Sequence, residues 1–153
     1  MPDYPVISTL ESHLGYRMRQ VSNHVSQAFA AKVAEQGVTV AEWVLLRQLW
    51  DYERVAPSRV ADDLAMTRGA ISKLADRLEA KALIARTQLE GDRRFQDIAL
   101  TEAGRAVVPV LAAIADANDA DVFGCLTPDE HAALETLLKA IVQRRKLASV
   151  PTD

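Results

Sequence analysis

Most of the chain carries apolar residues at the three- and four-residue spacing that is typical of amphipathic α-helices. The first helix is predicted from about residue 9 to residue 34, and a second follows Thr39. Two further long helices are predicted at 101–123 and 128–147. The first helix has one apolar stripe that is expected to be buried, formed by Leu10, Leu14, Met18, Val21, Val25, Ala28 and Phe29.

The middle of the chain has a different organisation. Two shorter helices are predicted at 59–64 and 68–81, separated by a turn at residues 66–67. The helical period then ends, and two short apolar runs, 83–89 and 95–100, flank a charged loop that contains a glycine. Such a pair of runs indicates a β-hairpin. The sequence therefore predicts a mainly α-helical fold with one small hairpin.

Hydroxyl residues mark most of the predicted helix starts. Three segments, 8–11, 39–42 and 127–130, fit a capping box, in which a Glu returns a hydrogen bond to the residue that caps the helix. Ser58, Thr67 and Thr101 are predicted to cap without such a Glu. Because a helix N-terminus also attracts phosphate, Ser58 and Thr67 are candidate phosphate contacts as well as caps.

Composition excludes several classes of protein. At 153 residues the chain fits one compact subunit. It has no apolar run of about 18 residues and no signal-peptide pattern, and its one cysteine, Cys125, has no partner for an internal disulfide. We therefore expect a cytoplasmic protein with no membrane segment.

No arrangement of residues typical of an enzyme is present. The sequence has no Ser-His-Asp order, no phosphate-binding loop and no Cys/His cluster, so no catalytic residue, cofactor or metal is predicted. His13 and His24 would lie about 16 Å apart on one helix, too far to share an ion. Cys125, in the link between the last two helices, is not favoured as a redox sensor.

Charge is concentrated in the middle of the chain. Residues 68–94 include seven basic and four acidic residues, so they carry +3, whereas the whole chain carries −3. A basic helix and a basic loop in an otherwise acidic protein predict a local surface for a polyanion.

The middle segment resembles a winged helix-turn-helix, and the layout of nearly the whole chain resembles the MarR family of bacterial transcription regulators. The resemblance rests on MTRGAISKLADRLEAKALI followed by GDRRFQDIALTEAG. The family pattern Asp-x-Arg, then Leu-Thr-x-x-Gly, is matched by Asp92, Arg94, Leu100, Thr101 and Gly104. One departure is Ala82, where family members commonly have Gly, and it does not favour a left-handed helix end there.

The resemblance implies a homodimer that binds a pseudo-palindromic operator in double-stranded DNA. The fourth helix would lie in the major groove and the hairpin, or wing, in the flanking minor groove. A phenolic or other small ligand would weaken this binding. The implied organisation is an N-terminal dimerisation helix (1–36), a winged helix-turn-helix module (37–101) and C-terminal dimerisation helices (102–153), together one compact subunit.

The fourth helix supplies most of the candidate DNA contacts. Gly69 and Ala70 would let the backbone approach the bases, and the longer polar side chains could donate to bases or phosphates. The alternative is a solvated helix face. With the two candidate caps, the predicted contacts of the helix-turn-helix are Ser58, Thr67, Arg68, Gly69, Ala70, Ser72, Lys73 and Arg77.

The wing supplies the remaining candidates. Arg93 and Arg94 are predicted to enter a narrow minor groove, where negative potential is concentrated. Asp92 is expected to brace an arginine or the wing backbone, because a carboxylate would repel phosphate. The residues leave open which arginine contacts DNA, although the family match favours Arg94 as the braced one. The alternative is that both are solvated.

The sequence also offers candidates for an effector pocket. Arg17 could meet a ligand carboxylate and the indoles of Trp43 and Trp50 could stack on a ring, with His13 and Tyr16 nearby on the first helix. The alternative is that both tryptophans are core residues and that Arg17 makes an ordinary ion pair.

The predicted function is a dimeric, sequence-specific DNA-binding transcription regulator, a repressor relieved by a small ligand. The alternative is a winged-helix protein-interaction module that does not contact DNA, although such a module has no need of a basic helix and wing.

Overall fold

The predicted order of elements is confirmed by the computed structural model, which describes the backbone of residues 1–89 and 92–147 and the side chains of residues 1–88 and 96–147. A short 3-10 turn, Leu10–Ser12, precedes the first helix. The elements are α1 (Leu14–Ala34), α2 (Val40–Leu49), α3 (Pro57–Asp63), α4 (Arg68–Ala80), β1 (Ile84–Leu89), β2 (Asp92–Leu100), α5 (Glu102–Phe123) and α6 (Pro128–Arg145).

The core lies in the middle of the chain, where α2 packs against α4, α5 and the hairpin. The four α4 residues predicted to face inward are all buried, namely Ile71, Leu74, Ala75 and Leu78. They meet Leu45 and Leu49 of α2, Ile98 of β2 and Leu111 of α5 in one cluster. Each buried leucine or isoleucine contributes about 1.5–3 kcal/mol by leaving water, so this cluster fixes how α4 is oriented.

Four of the predicted caps are confirmed. Thr39, Thr67, Thr101 and Thr127 each accept a hydrogen bond from the backbone N–H three residues on. Among these four, the reciprocal bond of a full capping box is made at Thr127, where Glu130 accepts from the Thr127 N–H at 3.0 Å.

Two predicted helix starts are wrong. The capping box at 8–11 does not form, because α1 begins only at Leu14, after the 3-10 turn, and His13 makes no side-chain cap bond. Ser58 does not cap α3, because Pro57 is suited to the first helical position and starts the helix one residue earlier, with Ala56 as the cap.

The end of α4 corrects a further expectation. Ala82 adopts the left-handed conformation at φ +59°, even though it is not Gly. Its N–H donates to the Glu79 carbonyl at 2.9 Å and the Leu83 N–H donates to Leu78 at 3.0 Å. These two bonds form a Schellman motif, whose helix-end geometry outweighs the cost of placing a Cβ in this conformation.

The hairpin is antiparallel, with Ile84 opposite Leu100 and a bulge at Gln88–Leu89. Its second strand begins three residues earlier than predicted, because Asp92 already pairs with Leu89. At the base of the hairpin, Gly104 lies so close to the Leu83 carbonyl that a Cβ there would overlap it. The absence of a Cβ at Gly104 therefore lets the start of α5 lie against the segment between α4 and β1.

The predicted α1 stripe is only partly covered in the single chain, where Val25, Ala28 and Phe29 are half-buried and its N-terminal part is exposed. Leu14 is 80% exposed, and Val33 is the one buried residue of this helix. No residue of α6 is buried, although its stripe includes Leu137, Leu138, Ile141 and Val142. The amphipathic pattern is therefore present, but the N-terminal part of the α1 stripe and most of the α6 stripe are left exposed in the single chain. None of the helices in the described residues is apolar over a length sufficient to cross a membrane.

Candidate nucleic-acid interface

Helix α4 presents its predicted contacts on one surface. Helical periodicity places its four core residues on one side, so Arg68, Gly69, Ser72, Lys73 and Arg77 are exposed on the other and Ala70 is half-buried. Thr67, also exposed, accepts from the Ala70 N–H at 3.1 Å and fixes where the helix begins. The helix is thus anchored by its apolar side and displays its basic side.

The exposed cations of α4 are available to an external ligand. In the described part of the chain, the side chains of Arg68, Lys73 and Arg77 make no ion pair or hydrogen bond. The acidic residues of the same helix, Asp76 and Glu79, pair instead with Arg86 of β1. The positive charge of this face is therefore not cancelled within α4.

Gly69 has no evident role in the packing of the chain. A Cβ at this position would meet only the Thr67 hydroxyl oxygen, at 4.0 Å. Glycine inside a helix costs about 0.5–1 kcal/mol relative to alanine. A glycine on the exposed basic face is therefore better explained by a ligand whose surface comes close to the α4 backbone at this position.

Two basic residues of the charged segment serve the fold, which was not predicted. Lys81 donates to the Gly37 carbonyl at 2.8 Å and to the carboxylate of Glu42 at 2.6 Å. Glu42 is 1% exposed, so this ion pair ties the end of α4 to the start of α2. The second such residue is Arg86.

The remaining predicted DNA contacts differ in how they are placed. Ser58 is half-buried in the first turn of α3, where it is not the cap. The side chains of Asp92, Arg93 and Arg94 lie outside the described residues, although the backbone of all three belongs to β2. The predicted brace between Asp92 and an arginine therefore remains a prediction.

The candidate effector residues are distributed over several places. Trp43 packs edge-on against Phe29, with ring centroids 6.5 Å apart. The guanidinium of Arg105 lies 5.5 Å from the ring centroid of Trp50 and donates to the Tyr52 carbonyl at 3.0 Å. Trp43 thus packs partly into the core, which agrees with the alternative that the tryptophans are core residues. Trp50 instead lies against the guanidinium of Arg105 at the surface.

A groove of about 420 Å³ lies beside α1 and α6, and Arg17 is one of its lining residues. His13 and Tyr16 do not line it; His13 lies at the cap of α1 and Tyr16 is half-buried. The groove is otherwise mostly apolar, and its other lining residues are Leu14, Met18, Val21, Ser22, Val25, Ser26, Phe123, Leu134 and Leu138.

The other chemistry considered from the sequence finds little support in the described residues. They contain no group of three or more His, Cys, Asp or Glu side chains that could hold a metal ion. Cys125 is exposed and its thiol donates to the Val122 carbonyl at 3.4 Å.

Two helices joined by a tight turn and followed by a hairpin define a winged helix-turn-helix, here α3, α4, β1 and β2. The MarR family model matches residues 38–95. The chain is 32% identical over 95 residues to the transcriptional repressor MdtR of Bacillus subtilis, covering 62% of this chain and 61% of that protein, which is less than two thirds of its length.

Other relatives are similar over more of their length. The transcriptional regulator MgrA of Staphylococcus aureus is 28% identical over 134 residues, covering 87% of this chain and 90% of that protein. The structure of Bordetella bronchiseptica BpsR, whose DNA binding is regulated by 6-hydroxynicotinic acid, superposes with a TM-score of 0.77 at 26% identity, covering 90% of this chain and 99% of that one. Residues 38–95 of this chain therefore match a MarR family domain, and over most of its length the chain is similar to DNA-binding transcriptional regulators.

Proposed function

We propose that this protein is a homodimeric repressor that binds a pseudo-palindromic operator and releases it when a small aromatic ligand binds. The observation that carries the proposal is the exposed face of α4, where Arg68, Lys73 and Arg77 have no partner in the described residues. Three cations on one helix face suit a polyanion such as DNA, because cations that neutralise phosphates release the counterions condensed on the duplex.

The roles of the residues follow from their positions on α4. The first turn carries Arg68, Gly69 and Ala70, and this end of a recognition helix meets base edges in the major groove. Ser72 and Lys73 lie one turn further on, and Arg77 follows another turn later. Ser58 and Thr67 are proposed as phosphate contacts, and Arg93 and Arg94 as contacts of the wing, with Asp92 as their brace.

The proposed dimer is supported by the apolar surfaces that the single chain leaves exposed. Leu14, Met18 and Val21 of α1 and most of the apolar stripe of α6 are exposed in the single chain, and contiguous apolar surfaces of this kind mark interaction sites. A two-fold axis through these helices would cover both stripes and present two α4 helices about one DNA turn apart.

The proposed effector site is the groove beside α1 and α6. Arg17 lies at an otherwise mostly apolar groove, an arrangement that suits an aromatic ring carrying a carboxylate. Because the groove adjoins the proposed dimer surface, a ligand there would act by favouring one separation of the two α4 helices. It must bind that arrangement more tightly than the DNA-bound one, or it shifts nothing.

Lys73→Ala is expected to weaken DNA binding by about 1–3 kcal/mol if Lys73 contacts a base, or to reduce the salt slope by about one unit if it contacts a phosphate. Binding would be measured by fluorescence anisotropy over a series of salt concentrations, with a random-sequence duplex and with one selected by the parent chain. Lys139→Ala on α6 is the matched control, because Lys139 pairs with Glu135 of the same helix at 2.7 Å.

The same titration tests the function itself. Several phosphate contacts require a log–log slope of several units for the parent chain. Absent binding at low salt, or binding that does not change with salt, would refute DNA binding and favour a protein-interaction module. Equal losses in Lys73→Ala and Lys139→Ala would refute the placement of the interface on α4.

Gly69→Ala is expected to raise the stability of the chain while lowering its affinity for the selected duplex about tenfold. A Cβ at this position meets open space in the protein, so the helix gains about 0.5–1 kcal/mol. The same methyl group would separate the recognition helix from the base edges. Thermal unfolding and anisotropy together measure both effects, and an unchanged affinity would contradict close approach at Gly69.

A further inference from the structure

Arg86 of β1 links the base of the wing to the recognition helix. Its guanidinium lies 2.8 Å from Asp76 and 3.4 Å from Glu79, and it donates to the Ser72 carbonyl at 3.4 Å. The Arg86 side chain is 21% exposed, although the two carboxylates are much more exposed. One side chain of the hairpin therefore holds three positions that span two turns of α4.

The position of Asp76 makes this contact important for an anionic ligand. Asp76 is exposed on the same side of α4 as Lys73 and Arg77. It follows Lys73 by three residues and directly precedes Arg77. An uncompensated carboxylate there would repel phosphate. It would also attract the Lys73 ammonium, because residues three apart on a helix are neighbours.

The geometry explains why an arginine serves at this position. A planar guanidinium with five donors can reach several acceptors at once, whereas a lysine ammonium acts as a single point charge. Arg86 belongs to β1, so it neutralises Asp76 while Lys73 and Arg77, the cations of the proposed DNA-facing surface, stay out of that ion pair. In the described residues Lys73 accordingly makes no ion pair with Asp76, although the two lie three residues apart on α4.

We propose that Arg86 is a positioning residue for DNA recognition. It holds the carboxylates of Asp76 and Glu79 and joins the wing base to α4, which leaves Lys73 and Arg77 available to phosphates and bases. Arg86 acts through these neighbours and does not itself contact DNA. The proposal rests on the proposed DNA-binding function and adds a residue to it that lies behind the interface.

The test compares the parent chain with Arg86→Gln, Asp76→Asn and the double variant on a random-sequence duplex, by anisotropy at several salt concentrations. Arg86→Gln is expected to bind about tenfold more weakly, because Asp76 then repels phosphate and captures Lys73. Asp76→Asn in the Arg86→Gln background is expected to restore most of the lost affinity. Arg54→Gln is the matched control, since Arg54 pairs with Asp97 of β2 at 3.8 Å, and it is expected to bind like the parent.

The rescue separates the proposal from its rivals. The proposal requires Asp76→Asn to raise the affinity much more in the Arg86→Gln background than in the parent, because Arg86 already neutralises Asp76 in the parent. If Arg86 contacts phosphate directly, or only supports the fold, Asp76→Asn will raise the affinity by the same factor in both backgrounds, and the proposal is overturned. Parent-level affinity of Arg86→Gln would also overturn it. If the parent chain itself fails to bind at low salt, the proposed function has failed instead. Circular dichroism melting of each variant confirms that the compared proteins are folded.

Discussion

Lys81→Met is expected to lower the free energy of unfolding by about 3 kcal/mol, because it leaves a buried carboxylate without its partner. The Glu42 side chain is 2% exposed and the Lys81 ammonium lies 2.6 Å from it. Lys81 also donates to the Gly37 carbonyl, at the turn between α1 and α2. Its loss would therefore loosen three elements at once. Urea unfolding at fixed protein concentration measures the change.

Two further variants make this experiment specific. Lys139→Met removes a lysine from an ion pair with Glu135 in which both side chains are more than half exposed, and it is expected to change stability by at most about 0.5 kcal/mol. The double variant Glu42→Met with Lys81→Met removes both charges and is expected to recover much of the loss. A Lys81→Met protein as stable as Lys139→Met would contradict a role for this pair in holding α4.

Ile141→Glu is expected to convert the proposed dimer into monomers at micromolar concentration and to weaken binding to the selected duplex at least about 100-fold. Ile141 is 47% exposed in the single chain, on a helix with no buried residue. A carboxylate would have to be desolvated in the dimer interface, which costs several kcal/mol. Losing the dimer also removes the avidity gained by linking two half-site contacts, about 10²–10⁴-fold.

Sedimentation velocity measures the association state, and anisotropy measures the DNA affinity. Gln143→Glu is the matched control, since it adds the same charge to α6 about 200° further round the helix. A parent chain that sediments as a monomer would refute the proposed dimer but would not test the proposed DNA contacts of α4. A dimeric Ile141→Glu protein would place the interface elsewhere than the α6 stripe.

The order of helices and the burial pattern of α4 could be predicted because both are set by local spacing. The period of Ile71, Leu74, Ala75 and Leu78 identifies one buried side, which leaves the opposite side for Lys73 and Arg77. The caps at Thr39, Thr67, Thr101 and Thr127 could be predicted because each accepts from a backbone N–H only three residues away. The start of α3 was misplaced because Pro57 and Ser58 are both start signals and the proline prevails.

The site was predicted less completely, because several of its side chains are committed to distant partners. Glu42 has the spacing of a capping box with Thr39, yet its carboxylate binds Lys81, 39 residues away. Arg86 was counted as part of the basic surface, yet it binds the acids of α4. Nothing within a few residues of these positions signals such partners.

Sequence alone determined the order of the helices, the place of the hairpin along the chain and which side of α4 carries exposed positive charge, because helical period and end signals act over three or four residues. Only the tertiary structure decided which charged side chains form ion pairs within the chain and which apolar stripes remain exposed. The exposed part of the α1 stripe illustrates the reason. Amphipathic spacing specifies which side of a helix is apolar, but only the packing of the chain determines whether another element covers that side.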